Sequence, residues 1–440
     1  MIRRVEYDVV VLGGGPAGLA AALAAAKKGA RVGLMEREER LGGILKQCVH
    51  DGFGLVRFGE QLAGPEYARR FIDLVPGSGV DVRLGTFVHA ARRGAPAGDG
   101  RFVLECVSRA EGVFEAAASA LVLATGCRER TDRQVFINGD RPAGVLTAGL
   151  AQHLVNIEGL LPGRRAVILG SGDIGLIMAR RLTIEGVEVV GVYEIKPEPS
   201  GLSRNLRQCL EDFGIPLHLS TTVTEVHGAK RVEAVTVAKV DGSGRPMAGT
   251  EEPVACDTLV LSVGLIPENE LALSLGLVLD PATKGPRVDQ NGASEAPGIY
   301  VCGNALHVND LVDYVSESGE AAGAAAAERA LSSGAASAER KPVPVRVGPG
   351  FLYAVPQFVD IASRGRAVLN FRSAATHRDG GRVRLSAGGT VLYDRRHAAL
   401  RPPEMERIEL DAARIPAGAE AIELALELEP PTGAKEAIHG

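Results

Sequence analysis

The stretch Asp8-Val-Val-Val-Leu-Gly-Gly-Gly-Pro-Ala-Gly18 decides how the chain is read. An apolar, valine-rich run ends at Leu12 and glycines stand at 13, 14, 15 and 18. An alanine-rich segment, Leu19 to Lys28, then stops at Gly29, where a left-handed residue ends a helix. The pattern is strand, tight turn, helix. Gly13, Gly15 and Gly18 have the G-x-G-x-x-G spacing. Gly13 permits the turn, Gly15 lets backbone approach a pyrophosphate, and Gly18 lets the helix lie close to the strand. The helix N-terminus, with its free N–H groups and dipole, then faces the phosphates. The next strand, Arg31-Val-Gly-Leu-Met-Glu36, ends in an acid 23 residues beyond Gly13, placed to accept the ribose hydroxyls of an adenine dinucleotide. With 55 glycines in 440 residues the bare spacing arises by chance about once per chain of this length. Its context carries the argument.

The same series begins again further on. Arg165-Ala-Val-Ile-Leu-Gly-Ser-Gly-Asp-Ile-Gly175 is a second strand and glycine turn, Gly186 ends its helix, and the strand Val187 to Glu194 again closes on an acid. Gly79 to Thr86 is echoed by Gly214 to Thr221. A hairpin at 101–118, turning at Glu111-Gly112, is echoed at 231–255. The strand Ala120 to Gly126 is echoed by Asp257 to Gly264. Landmarks matched in the same order are an internal duplication, so the chain carries two dinucleotide-binding units.

Composition narrows the class. A net charge of −5 offers no basic stripe, and the absence of Trp leaves few stacking platforms, so nucleic acid is not an expected partner. No run reaches the ~18 apolar residues of a membrane helix, and the Met-Ile-Arg-Arg start is not read as a leader, because cleaving off the apolar segment beyond it would destroy the first glycine turn. A cytoplasmic protein is expected. Cysteines 48, 106, 127, 209, 256 and 302 are too dispersed for a zinc ribbon, an iron–sulfur motif or an adjacent dithiol, and no metal site is expected.

Beyond the second unit, Gly298-Ile-Tyr-Val-Cys-Gly-Asn304 is a buried strand and residues 311–331 a helix. Ser332 to Arg340 is a small-residue linker. Short alternating runs from 342 to 436, such as Val383-Arg-Leu-Ser and Thr390-Val-Leu-Tyr, turn at Asp379-Gly-Gly and Gly388-Gly and read as a small all-β domain.

The two glycine turns, the strand ends Ala124-Thr-Gly126 and Gly303-Asn304, and the turn Gly264-Leu-Ile-Pro-Glu-Asn269 together resemble the two-dinucleotide flavoproteins of the pyridine nucleotide-disulfide oxidoreductase superfamily, over about residues 5–330. More narrowly, Leu41 to Gly54, Gly126-Cys-Arg-Glu-Arg130, Arg141 to Gly149 and Asp310-Leu-Val-Asp-Tyr314 look like the oxidoreductases that accompany anaerobic-type glycerol-3-phosphate dehydrogenases. That subgroup is related to flavoprotein subunits of hydrogen cyanide synthase and of opine and proline dehydrogenase complexes. The resemblance implies an α/β fold of two Rossmann-like domains, with the NAD(P) domain inserted in the FAD domain, plus the β domain. Its divisions would be an FAD-binding domain at 1–155 and 276–332, an NAD(P)-binding domain at 156–275, a linker at 333–341 and the β-rich domain at 342–440.

By position, the resemblance implies FAD binding by Gly13, Gly15, Pro16, Ala17, Gly18, Glu36, Arg37, Gly43, Val88, Ala124, Thr125, Gly126, Gly303 and Asn304. Glu36 would hold the ribose, and Val88 would lie by the adenine. Asn304 replaces the family's usual Asp, keeping a side-chain oxygen for a ribityl hydroxyl. The helix after Asp310 would aim its positive end at the flavin, unless it is a plain packing helix. The nicotinamide cofactor would meet Gly170, Gly172, Asp173, Ile174, Gly175, Glu194 and Gly264. A carboxylate at Glu194 favours NADH over NADPH: at ~5 Å and an effective dielectric of ~20 it opposes each unit of 2′-phosphate charge by about 3 kcal/mol, with Lys196 near enough to offset part of that.

The chain departs from the disulfide reductases in having Cys48 alone after the Gly-Gly turn. Lys46 would lower its pKa were it redox-active; a small apolar filler is the plainer reading. His50 and His307 read as satisfied polar residues, and Asp310, Asp313 and Glu317 as a solvated helix face. The expected function is hydride transfer between NADH and FAD. Electrons would be exchanged with a partner dehydrogenase, a small cysteine-bearing protein or another acceptor, and the β domain would dock a partner or a second copy of the chain. The alternatives are a flavoprotein subunit of a substrate-oxidising complex (amine, amino acid or glycerol-3-phosphate type) and a regulatory flavin-binding subunit.

Overall fold

A computed structural model describes residues 2–94, 101–332, 340–363 and 365–428; most of the expected linker and the end of the β domain lie outside the described residues. The chain parts into two compact units. One holds residues up to Leu45, His50–Cys127 and everything from Pro267 onward; the other holds Lys46–Val49 and Arg128–Ile266.

The first unit is built on a parallel core of strands Asp81–Arg83, Val32–Met35, Arg3–Leu12 and Gly112–Leu123, in that order, extended by the antiparallel strands Phe102–Ser108 and Thr86–Arg93. The strand expected from 120 to 126 is the continuation of the hairpin's second strand. Gly112–Leu123 is one 12-residue run, paired from Phe114 onward with Arg3–Leu12, on its other edge with the hairpin partner up to Ala118, and with Ile299–Val301 from Leu121. Alternation along the first strand divides the core. Val9 and Val11 face helix α1 (Pro16–Lys27), while Tyr7, Val10 and Leu12 face a second cluster with Leu104, Phe114 and Ile299. Helix α2 (Gly64–Ile72) adds Tyr67 and Phe71 to the α1 side and turns Arg69 and Arg70 outward. Gly29, at φ +90, ends α1 as the sequence predicts.

In the second unit a five-stranded parallel sheet runs Leu217–His218, Glu188–Tyr193, Arg165–Leu169, Thr258–Leu261, Val145–Thr147. The last strand and helix α3 (Ala148–Asn156) place residues 128–156 here, so the division falls at 127/128 and 266/267, whereas the sequence suggested 155/156 and 275/276. The reason is hydrogen bonding: Val145, Leu146 and Thr147 pair in register with Leu259, Val260 and Leu261. Helices α4 (Asp173–Ile184) and α5 (Ser203–Cys209) belong to this unit. The antiparallel strands Thr221–His227, Ala234–Lys239 and Glu252–Ala255 form a separate sheet.

The first unit resumes with the short α6 (Glu270–Ser274) and the long α7 (Val312–Leu331). Helices α7 and α1 meet at glycines: a Cβ on Gly319 would lie 2.2 Å from the Ala17 carbonyl oxygen, and one on Gly323 2.0 Å from that of Ala21. Beyond them a five-stranded and a three-stranded sheet enclose a core that includes Leu369, Phe371, Val383 and Leu424, which is the expected β-rich region. No helix among the described residues is long and apolar enough to cross a membrane.

Candidate functional site

Each parallel sheet ends in a glycine turn, and the two turns are superposable in logic. Gly13 (φ +106) and Gly170 (φ +101) sit in backbone conformations that suit glycine; a Cβ would meet the carbonyl oxygen of Ala124 at 2.4 Å in one and of Ser262 at 2.1 Å in the other. Gly18 and Gly175 stand where a Cβ would strike the carbonyl oxygens of Gly13 and Gly170, at 1.7 and 2.4 Å, so these glycines set the distance between helix and strand. The middle glycine differs in kind. Gly15 has only the Gly43 Cα, at 3.8 Å, in front of it, and Gly172 has nothing within 4 Å. These two positions leave room for a ligand.

The helices begin uncapped. Gly15 and Gly172 are the N-caps of α1 and α4, and neither first turn receives a side-chain hydrogen bond. The first intrahelical bonds, Leu19 N to Gly15 O and Leu176 N to Gly172 O, leave the preceding N–H groups for an anion; Pro16, at the first position of α1, has none to leave.

The acids expected on the ribose are buried and preset. Glu36 accepts from Gly14 N (2.6 Å) and Glu38 N (2.8 Å); Glu194 accepts from Ser171 N (3.0 Å), the Ser171 hydroxyl (2.6 Å) and Lys196 N (3.0 Å). Each carboxylate is tied to the middle of its own glycine turn. Both turns are also covered by the segment that comes after the acid: Gly42 N donates to Gly14 O, and Ser200 N donates to the Ser171 hydroxyl. That cover extends the duplication beyond the landmarks read from the sequence, where Gly42 and Gly201 stand six and seven residues after the acids.

The remaining expected residues sort as follows. Gly43 (φ +54) abuts Gly15, and Gly303 lies against the first turn of α1, where a Cβ would be 2.8 Å from that of Ala17. The Thr125 hydroxyl donates to Glu268 O (2.6 Å) and Gly126 O accepts from Glu268 N, so the Ala124-Thr-Gly126 strand end is stitched to the turn leading into α6. Arg37 and Ile174 are exposed. Val88 packs with the Tyr7, Val10 and Leu12 cluster. Gly264 (φ +105) accepts from Arg130 N through its carbonyl. Asp173 is turned away from its helix end, its Oδ1 accepting from Leu202 N (2.9 Å) and Asn205 Nδ2 (2.7 Å). Asn304 departs from its expected role. Its Oδ1 already accepts from Asn309 N (3.1 Å) and Asn309 Nδ2 (3.3 Å), and because a backbone N–H only donates, the amide nitrogen must be the other atom, which donates to Cys127 Sγ at 3.6 Å.

Two further expectations are corrected, for His307 and for the acids at 310, 313 and 317, while Cys48 fits its plainer reading as a packed thiol. Burial pushes the Cys48 thiol up to about 12, overriding any effect of Lys46; its Sγ faces Gln152 Oε1. His307 is buried with Nδ1 unpartnered, and burial, then the Arg372 guanidinium, brings its pKa down to about 4, so the ring is neutral. Asp310, Asp313 and Glu317 are not a solvated face. Asp313 accepts from Gly54 N and Arg57 N, while Asp310 and Glu317 pair with arginines of the β domain.

Residues 7–330 match the family model described as pyridine nucleotide-disulphide oxidoreductase, and the chain belongs to that family. It is accordingly an FAD-dependent oxidoreductase. The HcnB component of hydrogen cyanide synthase from Pseudomonas protegens is 28% identical across 88% of this chain and 82% of its own length. An opine oxidase subunit of Agrobacterium tumefaciens is 26% identical across 69% of this chain, which spans 62% of that relative. Among solved structures, thioredoxin reductase of T. acidophilum aligns over 74% of this chain and 99% of its own, with a TM-score of 0.61 and 23% identity, a likeness of fold.

Proposed function

We propose that the protein passes hydride between NADH and FAD and exchanges the electrons with a protein partner, either a dehydrogenase or a small cysteine-bearing protein. In this reading the first unit holds FAD, and the second unit, Lys46–Val49 with Arg128–Ile266, holds the nicotinamide dinucleotide. The observation that carries it is the second glycine turn: Gly170 and Gly175 keep its shape, Gly172 keeps it open, and Glu194 stands buried at its side. A turn kept open in this way is a binding feature, since the fold itself needs only the first and third glycines.

When bound, FAD and NAD(H) supply the redox chemistry. The chain's part is to anchor the pyrophosphates on two uncapped helix ends and to fix the riboses with Glu36 and Glu194. No side-chain base or nucleophile is assigned, because the Cys48 thiol stays protonated at neutral pH. Glu194 favours NADH. Six cysteines outside any disulfide suit a cytoplasmic setting.

A second reading has specific support. Relatives that are components of hydrogen cyanide synthase, opine oxidase and sarcosine oxidase favour a flavoprotein that oxidises an amine, amino acid or related substrate within a complex. Anaerobic titration of the purified flavoprotein with NADH and with NADPH separates the two. Rapid bleaching of the flavin by NADH, and weaker bleaching by NADPH, is the expected result; no bleaching by either puts the substrate-oxidising reading in its place.

A further inference from the structure

The β domain reaches the first dinucleotide turn through one largely buried cation, Arg372. Its guanidinium and Nε donate to the Tyr353 hydroxyl (2.7 Å), to Pro403 O (2.6 Å), to Val308 O (3.2 Å) and to both carboxylate oxygens of Asp310. Val308 and Asp310 flank Asn309. Asn309 in turn holds Asn304 Oδ1 through its backbone and side-chain nitrogens, and Asn304 comes directly after the glycine that lies against Ala17 at the start of α1. A second tie from the same sheet, Met405 N to Asp310 Oδ2 (2.6 Å), reinforces the grip.

We infer that Arg372 is a positioning residue for FAD: by gripping both neighbours of Asn309 it fixes the amide of Asn304, so that the β domain governs how tightly the cofactor is held and how readily it is reduced. This rests on the reading that Gly303-Asn304 lies on FAD. A planar fork suits the task, because Val308 O, the Asp310 carboxylate and the Tyr353 hydroxyl lie in different directions and a point charge cannot serve all three. The Asn304 amide gives one N–H to Cys127 Sγ and keeps a second; in this inference the second N–H meets FAD, where it favours the electron-richer reduced form, so loosening Asn304 weakens binding of reduced flavin more than of oxidised. The β domain also carries its own control. Arg366 and Arg407 dock on Glu317, farther along α7, and Arg407 also lies over the Tyr314 ring.

The test measures FAD dissociation constants and dye-equilibrated midpoint potentials on full-length wild type, Arg372→Met, Arg372→Lys and Arg407→Met. Arg372→Met is expected to weaken FAD binding about tenfold or more and to lower the potential by about 30 mV, the equivalent of a tenfold difference between oxidised and reduced flavin in a two-electron couple. Arg372→Lys should fall between it and wild type, and Arg407→Met should lose thermal stability while keeping both flavin properties. Unchanged affinity and potential in Arg372→Met overturn the inference, as do equal shifts in Arg407→Met, which would reflect docking alone. If Arg372→Met does not fold, Asn309→Ala removes the side-chain half of the hold on Asn304 Oδ1, keeps the backbone half and leaves the docking intact; a smaller shift in the same direction supports the role, and no shift overturns it. A wild-type protein that binds no FAD would refute the function proposed above rather than this assignment.

Discussion

The two glycine turns share a backbone plan but are enclosed differently. The first lies beneath Leu41–Gly43, against Gly303, and on a helix whose Ala17 and Ala21 are pressed by Gly319 and Gly323 of α7. The second is covered by the Ser200–Leu202 segment, and its helix α4 exposes Ile174 and Arg180. Small residues on every side of α1 are the signature of a helix buried on two faces; the mixed surface of α4 is that of a helix buried on one. On the proposed function, the first turn would retain its ligand and the second exchange it. In that reading the same motif serves two kinetic purposes, decided by what packs around it.

The sharpest way to break this contrast is to add a methyl group in each turn. Gly13→Ala brings a Cβ to within 2.4 Å of the Ala124 carbonyl in a left-handed backbone, and the protein is expected to lose bound flavin and much of its soluble yield. Gly172→Ala meets nothing within 4 Å, so the variant should fold, keep FAD, and lose roughly tenfold or more in NADH affinity. Flavin content and NADH titration distinguish the two; a Gly172→Ala protein with wild-type NADH binding would mean that the open turn holds no dinucleotide. Next in size is Glu194→Gln. It removes the charge that opposes a 2′-phosphate and sets an amide nitrogen among donors at Ser171 and Lys196, so the NADH-to-NADPH preference should fall by about tenfold and stability by about 1–2 kcal/mol. The smallest effect belongs to Cys48→Ser, which should leave the rate of flavin reduction within about twofold of wild type. With its pKa pushed up to about 12, the Cys48 thiol has almost no thiolate at neutral pH. Its alkylation should stay slow near pH 8 and accelerate only toward alkaline pH; rapid labelling at neutral pH would restore the redox role.

What could be read from the sequence was what the backbone dictates locally. Gly13, Gly18, Gly170 and Gly175 are forced by contacts within a few residues or with the adjoining strand end, and so they recur at fixed spacing. The acids at 36 and 194 are legible because each closes a strand beside its turn. Missed features depend on partners with no fixed spacing. Asp310 and Glu317 looked solvated because the arginines that pair with them arrive from 62 and 49 residues downstream. Residues 128–156 joined the second unit because Val145–Thr147 pairs with a strand more than a hundred residues away. Cys48 shows the limit most plainly: Lys46 is visible in the sequence and desolvation is not, yet desolvation decides the thiol's state.

The contact of Gly319 and Gly323 with Ala17 and Ala21 joins the beginning of the chain to residues some three hundred positions later. Helix α1 therefore leaves the ribosome some three hundred residues ahead of α7 and stays uncovered on one face until α7 has been synthesised. Most of the second unit is one continuous segment, 128–266, and needs nothing so distant. During synthesis the order of completion runs against the order of appearance: the first nucleotide cradle to be translated is the last whose walls can close.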